Sequence, residues 1–434
     1  AASVAGLSAA VILPAPVAAQ QITSGVQGRV LSDDGAPLAG AMVKVHDDRT
    51  GVERVLVTDS EGRFRAPNLT TGGPYTVTSE LDGYEGQSVG GVFLTLQGET
   101  SLTFTLTSGS GAIVVSAARV GATQLAVGPG QSFTSQLLAD APSFNRDVRD
   151  VIRIDPRVSL DRDDTGSGQD RISCLGGNDR GNAFTVDGIS QGDIYGLNDT
   201  GFSSRSSTPI PYDAVRETQV QFAPFDVDYG AFTGCSINAV TKSGTNDYHF
   251  GGFFEYSDDG LRGNTVNGIK VAPVEPDKRW GVHLGGPVIK DYVWLYGAYE
   301  HQEAGQSQDD GPAGAGYPLP INQVTIDQFN EIAQVVKDIY GIEAGAPIKS
   351  RPFSNDRYFI RGDFQLSERH RAELTYQRLE EATTRSDDQA RTGTFGGTVV
   401  GGNTFYLSGT RSNYYSARLY SDWTDNLSTE IRYS

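Results

Sequence analysis

The sequence predicts a mainly β chain in three successive parts: a small β-sandwich, an α+β domain, and the N-terminal part of a large transmembrane antiparallel β-barrel. Three observations carry that prediction. Short alternating runs punctuated by turn residues fill about 22–107. A Gly/Asp-rich stretch with a few helical signals follows, to about 246. From Tyr248 onward, aromatics recur at alternate positions opposite charges.

The 434 residues carry a net charge of −18, and 53 of them are glycine. The acidic balance, without a Lys/Arg cluster to neutralise phosphates, argues against a nucleic-acid partner. After the N-terminus no run of about 18 apolar residues occurs, so a spanning helix is not expected, whereas barrel strands are too short to give such a run.

Ala1–Ala19 is apolar and rich in small residues, and ends Val17-Ala18-Ala19. It reads as the remnant of a secretory signal cut before Gln20, lacking its Met and basic lead. The competing reading is a flexible Ala-rich leader. The cysteines are Cys174 and Cys235. In an exported chain an even pair suits one disulfide, against two free buried thiols.

Residues 20–107 form the expected sandwich. Turns at Asp33-Asp34-Gly35, Ser60-Glu61-Gly62 and Thr71-Gly72-Gly73-Pro74 separate runs such as Ala41–Val45 and Tyr75–Thr78. Its segments GRVLSDDGAPLAGAMVKV, TDSEGRFRAPNL and GPYTVTSELDGY resemble the carboxypeptidase-regulatory-like domain, a transthyretin-like fold whose name implies no peptidase activity. Residues 108–119 read as a linker. Within it the β-branched run from Ala112 suits either a strand donated to another protein's sheet or an ordinary edge strand.

In 120–246, Ser143–Ile152 can cap and start a helix with Val148, Val151 and Ile152 on one face. Ala183–Ile189 reads as a strand ending in an Asp-Gly turn. Pro211–Val215 begins a short helix, and Glu217–Gln221 returns as a strand.

In 247–434, Tyr248, Phe250, Phe254 and Tyr256 share one face, with His249, Gly251 and Glu255 on the other. Further strands are expected at Arg279–Pro287, Tyr292–His301, Tyr358–Leu366, Arg371–Arg378, Asn413–Trp423 and Ser428–Tyr433. In them Ile360, Leu374 and Tyr415 oppose Arg361, Glu373 and Arg418. Connections at 289–291 and 368–370 are short, and those at 304–353 and 380–411 are long, as turns and outer loops of a barrel alternate. Ile326–Ile339 has helical spacing. A soluble one-sided sheet is the rival reading, but it poorly explains so many aromatics opposite charges. About seven strands are visible. An open sheet in lipid would leave unpaired edges, so a C-terminally truncated piece of a larger barrel is expected.

The order of parts, with TVDGI at 185–189, PYDAVRETQVQFAPFDVDYGAFTG at 211–234, AVTKSGTNDYHFGGFFEY at 239–256 and GGPVIKDYVWLYGAYE at 285–300, resembles the TonB-dependent outer-membrane receptors of the Oar-like group. The resemblance implies that the α+β domain is a plug inside a barrel of about 22 strands. It implies a TonB box, placed at Ile113, Val114, Val115, Ser116 and Ala117, with Gly111 and Ala112 departing from the usual polar lead-in. It implies outer-membrane location, with plug and N-terminal domain towards the periplasm. The implied partners are TonB with its inner-membrane energising complex, outer-membrane lipid and an unknown extracellular ligand.

The function it implies is active transport gated by strand pairing to TonB. The alternative is a surface binding or adhesion protein anchored by the barrel. Plug loops 161–182 and 190–208 would face the outer opening, with Asn178, Asp179, Arg180, Asp193, Tyr195 and Asn198 as candidate ligand contacts and Cys174 and Cys235 as a staple. An enzyme is not expected: there is no H-E-x-x-H, S-x-x-K or P-loop. No cofactor or metal is expected either, the acidic run Asp161–Asp164 suiting a solvated loop better than a calcium site.

Overall fold

The computed structural model describes residues 22–109, 114–115, 129–143, 145–161, 171–193, 202–204, 208–224, 230, 232–261, 263, 265–266, 269–270, 275–308, 310–386, 401–424 and 427–434. The signal-like segment lies outside them.

The first unit is a two-sheet sandwich. Its strands are β1 (Thr23–Ser32), β2 (Met42–Asp47), β3 (Glu53–Val57), β4 (Arg63–Thr70), β5 (Gly72–Glu80), β6 (Gln87–Leu94) and β7 (Thr100–Leu106). One sheet has the order β4-β1-β7. The other runs β3-β2-β5-β6 and then takes in β8 (Val114–Val115) as its edge. Alternate residues point inward, so Val30, Val43, Phe64, Val77 and Phe104 make one apolar core. Gly28 has to be glycine: a Cβ there would lie 1.9 Å from the carbonyl oxygen of Leu102 on the neighbouring strand.

The central domain holds a five-stranded mixed sheet of β9 (Gly130–Phe133), β12 (Ala183–Val186), β13 (Ile189–Ser190), β14 (Val215–Gln221) and β15 (Ser236–Thr241). Its order is β13-β12-β15-β14-β9. Short helices α1 (Ser135–Asp140) and α2 (Val148–Ile152) and the hairpin of β10 (Val158–Asp161) and β11 (Arg171–Cys174) complete it. The Asp187-Gly188 turn has φ of 48° and 68°, as a two-residue hairpin turn demands. Asp187 also closes onto β15, accepting from Thr241 N at 2.9 Å and Thr241 Oγ1 at 2.7 Å.

Two local expectations change. Helix α2 starts at Val148 and is capped by Asp147, whose carboxylate accepts from Arg149 N at 2.8 Å. Ser143 instead bonds Asp147 N at 2.9 Å and the Asp150 carboxylate, so it braces the cap rather than forming it. Helix α1, capped by Thr134, was not expected: six residues with one buried side chain, Leu138, give no readable period.

The third unit is an antiparallel wall. Between β16 (His249–Ser257) and β19 (Asp277–Ile289) lies the small hairpin β17 (Thr265–Val266) and β18 (Ile269–Lys270). Strand β20 (Val293–Ser307) leads to β21 (Asp310–Ala313), β22 (Leu319–Thr325) and helix α3 (Ile326–Tyr340). Then come β23 (Ser350–Ser367), β24 (His370–Ser386), β25 (Phe405–Thr424) and β26 (Leu427–Tyr433). The wall order is β16-β19-β20-β23-β24-β25-β26. Helix α3 matches its expected span and carries a full capping box from Thr325 and Gln328.

The long connections are shorter than expected, because β20, β23, β24 and β25 continue well past the aromatic stretches. Eighteen residues, the length of β23, extend roughly 59 Å, more than a bilayer core needs even at a 45° tilt. In extensions such as 383–386 there is no apolar–polar contrast to mark a strand, although the backbone ladder runs on.

Candidate functional site

The wall has two unlike faces. Outward lie Phe250, Phe254, Leu284, Ile360, Leu374 and Tyr415, all exposed. Inward lie Glu300, Arg357, Arg361, Glu373, Gln377 and Arg418, all buried. On β23 the contrast is sharp between neighbours, Ile360 being 54% exposed and Arg361 1%. What buries the inner face is the central domain.

Side chains of the wall reach its backbone in several places. Tyr296 Oη donates to Asp213 O at 2.7 Å. The Glu300 carboxylate accepts from Tyr212 N at 3.0 Å and from Arg357 Nη2 at 2.8 Å. Arg357 Nη1 is 3.4 Å from the carbonyls of both Thr208 and Ile210. Gln377 Nε2 donates to Pro209 O at 3.2 Å and Gln191 Oε1 at 2.9 Å. Arg432 Nη1 reaches Gly188 O at 2.9 Å. Arg361 is held at 2.7 Å by both Asp363 and Glu373 and donates to Thr241 Oγ1 at 3.1 Å.

Arg146 answers from the central domain. It stands at φ 49°, pairs with Asp213 at 2.7 Å, approaches Glu300 at 3.6 Å and lies 3.5 Å from the Phe253 ring centroid.

These contacts explain how the domain is seated. Hydrogen bonds to charged groups contribute roughly 1.5–3 kcal/mol each, but burying the charges costs much of that back. The result is geometric specificity with modest net adhesion. The apolar share is small: Tyr296, Ala298 and Phe359 are the buried wall residues in the central domain's core. Inside the domain, burial lowers the Arg216 guanidinium to about 10, helped by Arg361 and Arg49 nearby. Burial pushes the Tyr212 phenol up to about 12. Burial also raises the Glu217 carboxyl, against hydrogen bonds from Ser132 and Leu96. The carboxyl of Asp147 is fully buried, yet Arg149 at 2.7 Å holds it below the usual range.

The residues singled out from the sequence are distributed as follows. Asn178, Asp179 and Arg180 share one short turn, in which Asn178 accepts from Arg180 N at 2.9 Å. Asp193 follows β13 and is half-buried; Tyr195 and Asn198 lie outside the described residues. Cys174 and Cys235 are bonded, with Cα atoms 5.8 Å apart, joining β11 to the residue before β15. Of Ile113–Ala117 only Val114 and Val115 are described, pairing in parallel with Gln87 and Ser88. Among the described residues no group of three or more His, Cys, Asp or Glu is placed to hold a metal ion. Of the acidic run, Asp161 ends β10, and 162–164 lie outside the described residues.

Sequence reasoning placed Arg361, Glu373 and Arg418 on the inner face but did not see their partners. A signal was available: opposite charges on the same face of adjacent strands, in a wall whose lumen must be filled.

Two family models match parts of the chain. A model of the carboxypeptidase regulatory-like domain matches residues 25–107. A model of the TonB-dependent receptor plug domain matches residues 124–234. The chain is similar to the TonB-dependent transporter Oar of Myxococcus xanthus, at 24% identity over 281 residues, 61% of this chain and 25% of that protein. Among solved structures it is similar to the outer membrane transporter YddB from Escherichia coli (TM-score 0.47, 14% identity, 68% of this chain and 37% of that one). It is also similar to the ferric enterobactin receptor PfeA from Pseudomonas aeruginosa (TM-score 0.45, 16% identity, 70% and 40%). The chain therefore spans about a quarter of the length of the curated relative. The matched domains are those of receptors and transporters, not of enzymes.

Proposed function

We propose, from the matches to a carboxypeptidase regulatory-like domain and to a TonB-dependent receptor plug domain, that the chain performs TonB-dependent transport of a still unidentified ligand across the bacterial outer membrane. The plug and sandwich stand towards the periplasm in this reading. The observation that carries it is the wall's inversion: aromatics face outward, while the buried Arg357 and Glu300 grip the backbone of a separately folded plug.

Such a seat suits a gate. The plug is held in place by many polar contacts of small net energy and has little apolar adhesion to the wall, so a pull can rearrange it without dismantling the barrel. The outer membrane has no nucleotide supply, so the work has to arrive from TonB. The segment Ile113–Ala117, of which Val114 and Val115 pair with β6, would supply the main-chain donors and acceptors for strand addition. Asn178, Asp179, Arg180, Asp193, Tyr195 and Asn198 are the proposed ligand contacts on the opposite side, and binding there would be coupled to release of the box through the plug.

The test uses the full-length receptor in detergent and the purified C-terminal domain of TonB. Val115→Pro removes a ladder donor and fixes φ, so capture of the TonB domain should fall about tenfold or more. Undiminished capture would refute the placement of the box. Receptor function unchanged in cells lacking TonB would favour the anchored adhesin instead.

A further inference from the structure

The sandwich is not a free appendage. It touches the plug and the wall together, through contacts that converge on Leu96, Asn246 and Glu217.

Leu96, between β6 and β7, donates its N–H to Glu217 Oε1 at 3.1 Å and accepts at its carbonyl from Gln219 Nε2 at 2.8 Å. Its side chain packs with Ile22 and Val240 in a small separate apolar cluster. Asn246, between plug and wall, binds both neighbours. Its N–H donates to Arg49 O at 2.8 Å and its Nδ2 to Thr50 O at 2.7 Å, both on the sandwich. Its Oδ1 accepts from Asp291 N at 3.0 Å and Trp294 Nε1 at 2.8 Å, both at the wall's turn. Arg54 forms an ion pair with Asp422, and Arg371 of β24 donates to Thr70 Oγ1.

Glu217 ties this docking to the plug's outermost strand. The same Oε1 that receives Leu96 N also receives the hydroxyl of Ser132 on β9. Strand β9 is four residues long and, among the described residues, is the edge of the plug sheet and pairs with β14 alone. Among the described residues it is the first plug strand after the segment on which TonB would pull. A four-residue edge strand is the natural place for local opening, and the sandwich reinforces it from outside.

The docked contact is polar at its rim, and a cleft of about 90 Å³ lies between sandwich and wall. Among the described residues, its apolar cluster consists of Ile22, Leu96 and Val240. That composition belongs to a reversible contact rather than a permanent core.

We propose that the N-terminal sandwich is a releasable latch: docked on Leu96, Asn246 and the Arg54–Asp422 pair, it holds β9 in the plug sheet, and it undocks before β9 can leave. Its purpose rests on the transport reading, but docking and β9 protection are tested without TonB or ligand.

The experiment is hydrogen exchange, read by mass spectrometry, on the full-length receptor in detergent. Arg54→Cys with Asp422→Cys is bridged by a photocleavable thiol cross-linker, which leaves the Cys174–Cys235 bond untouched. Amides of 130–133 should exchange about tenfold more slowly when bridged than after cleavage of the same sample. In a second variant, Asn246→Ala, they should exchange about tenfold faster than in the unaltered protein, with β24 and β25 unchanged. Equal exchange of 130–133 in bridged, cleaved and Asn246→Ala protein would overturn the latch. Failure of the Val115→Pro test would leave this result standing, and the converse also holds.

Discussion

The sandwich and the wall use the same backbone alternation with opposite chemistry. In the sandwich, Val30, Phe64 and Phe104 point inward and are buried, while Arg63, Asp59 and Glu61 pair with one another on the surface. In the wall, Leu374 and Ile360 point outward and are exposed, while Arg361, Asp363 and Glu373 pair inside. A strand has two faces, and which is apolar depends on which one meets water. The sandwich is cohesive because its inside is dry and apolar. The wall is cohesive through its ladder and its outer solvent, which leaves its inner face free to hold a separate body by specific polar contacts.

The largest effect should come from breaking an inner charge group. Arg361→Ala leaves the buried Asp363 and Glu373 without their main cation and should cost about 3–5 kcal/mol. Urea unfolding of the full-length receptor reads it. Replacing the set together (Arg361→Met, Asp363→Val and Glu373→Leu) should recover most of that loss. An equal loss in the triple variant would mean that the inner face needs charge for its own sake.

Next comes the outer face. Leu374→Arg puts a cation where hydrocarbon is expected and should cost about 2–4 kcal/mol in lipid if the site lies near the midplane. The same stability in bilayers as for Leu374→Ala would contradict the membrane-facing assignment.

The smallest effect should be on the sandwich surface. Arg63→Ala removes exposed pairs to Asp59 and Glu61 and should leave the thermal midpoint unchanged. A clear drop would show that surface charge matters in both units and would blunt the contrast.

Legibility in the sequence followed the same division. The wall strands were readable where an aromatic face opposes a charged one, as at Tyr248–Tyr256 and Ala372–Gln377. Their extensions, such as 302–307 and 379–386, were not, because apolar and polar residues do not alternate there. The Asp187-Gly188 hairpin was readable from its turn chemistry, since φ is positive at both residues. Helix α1 was too short for a period, and the cap of α2 passed from Ser143 to Asp147 because two acceptors compete within one turn. Strand β14 (VRETQVQ) reads as half-exposed, yet every residue in it is buried.

By itself the sequence determined the order of parts, the alternation that makes one wall face apolar, and the turns that close the hairpins, because these depend on residues within a few positions of one another. Only the tertiary structure decided what fills the wall and what the sandwich rests on. Arg357 reaching Ile210, Arg432 reaching Gly188 and Leu96 reaching Glu217 span separations of 147, 244 and 121 residues. A charged side chain looks the same in the sequence whether water or a buried carbonyl awaits it, and packing alone supplies the partner.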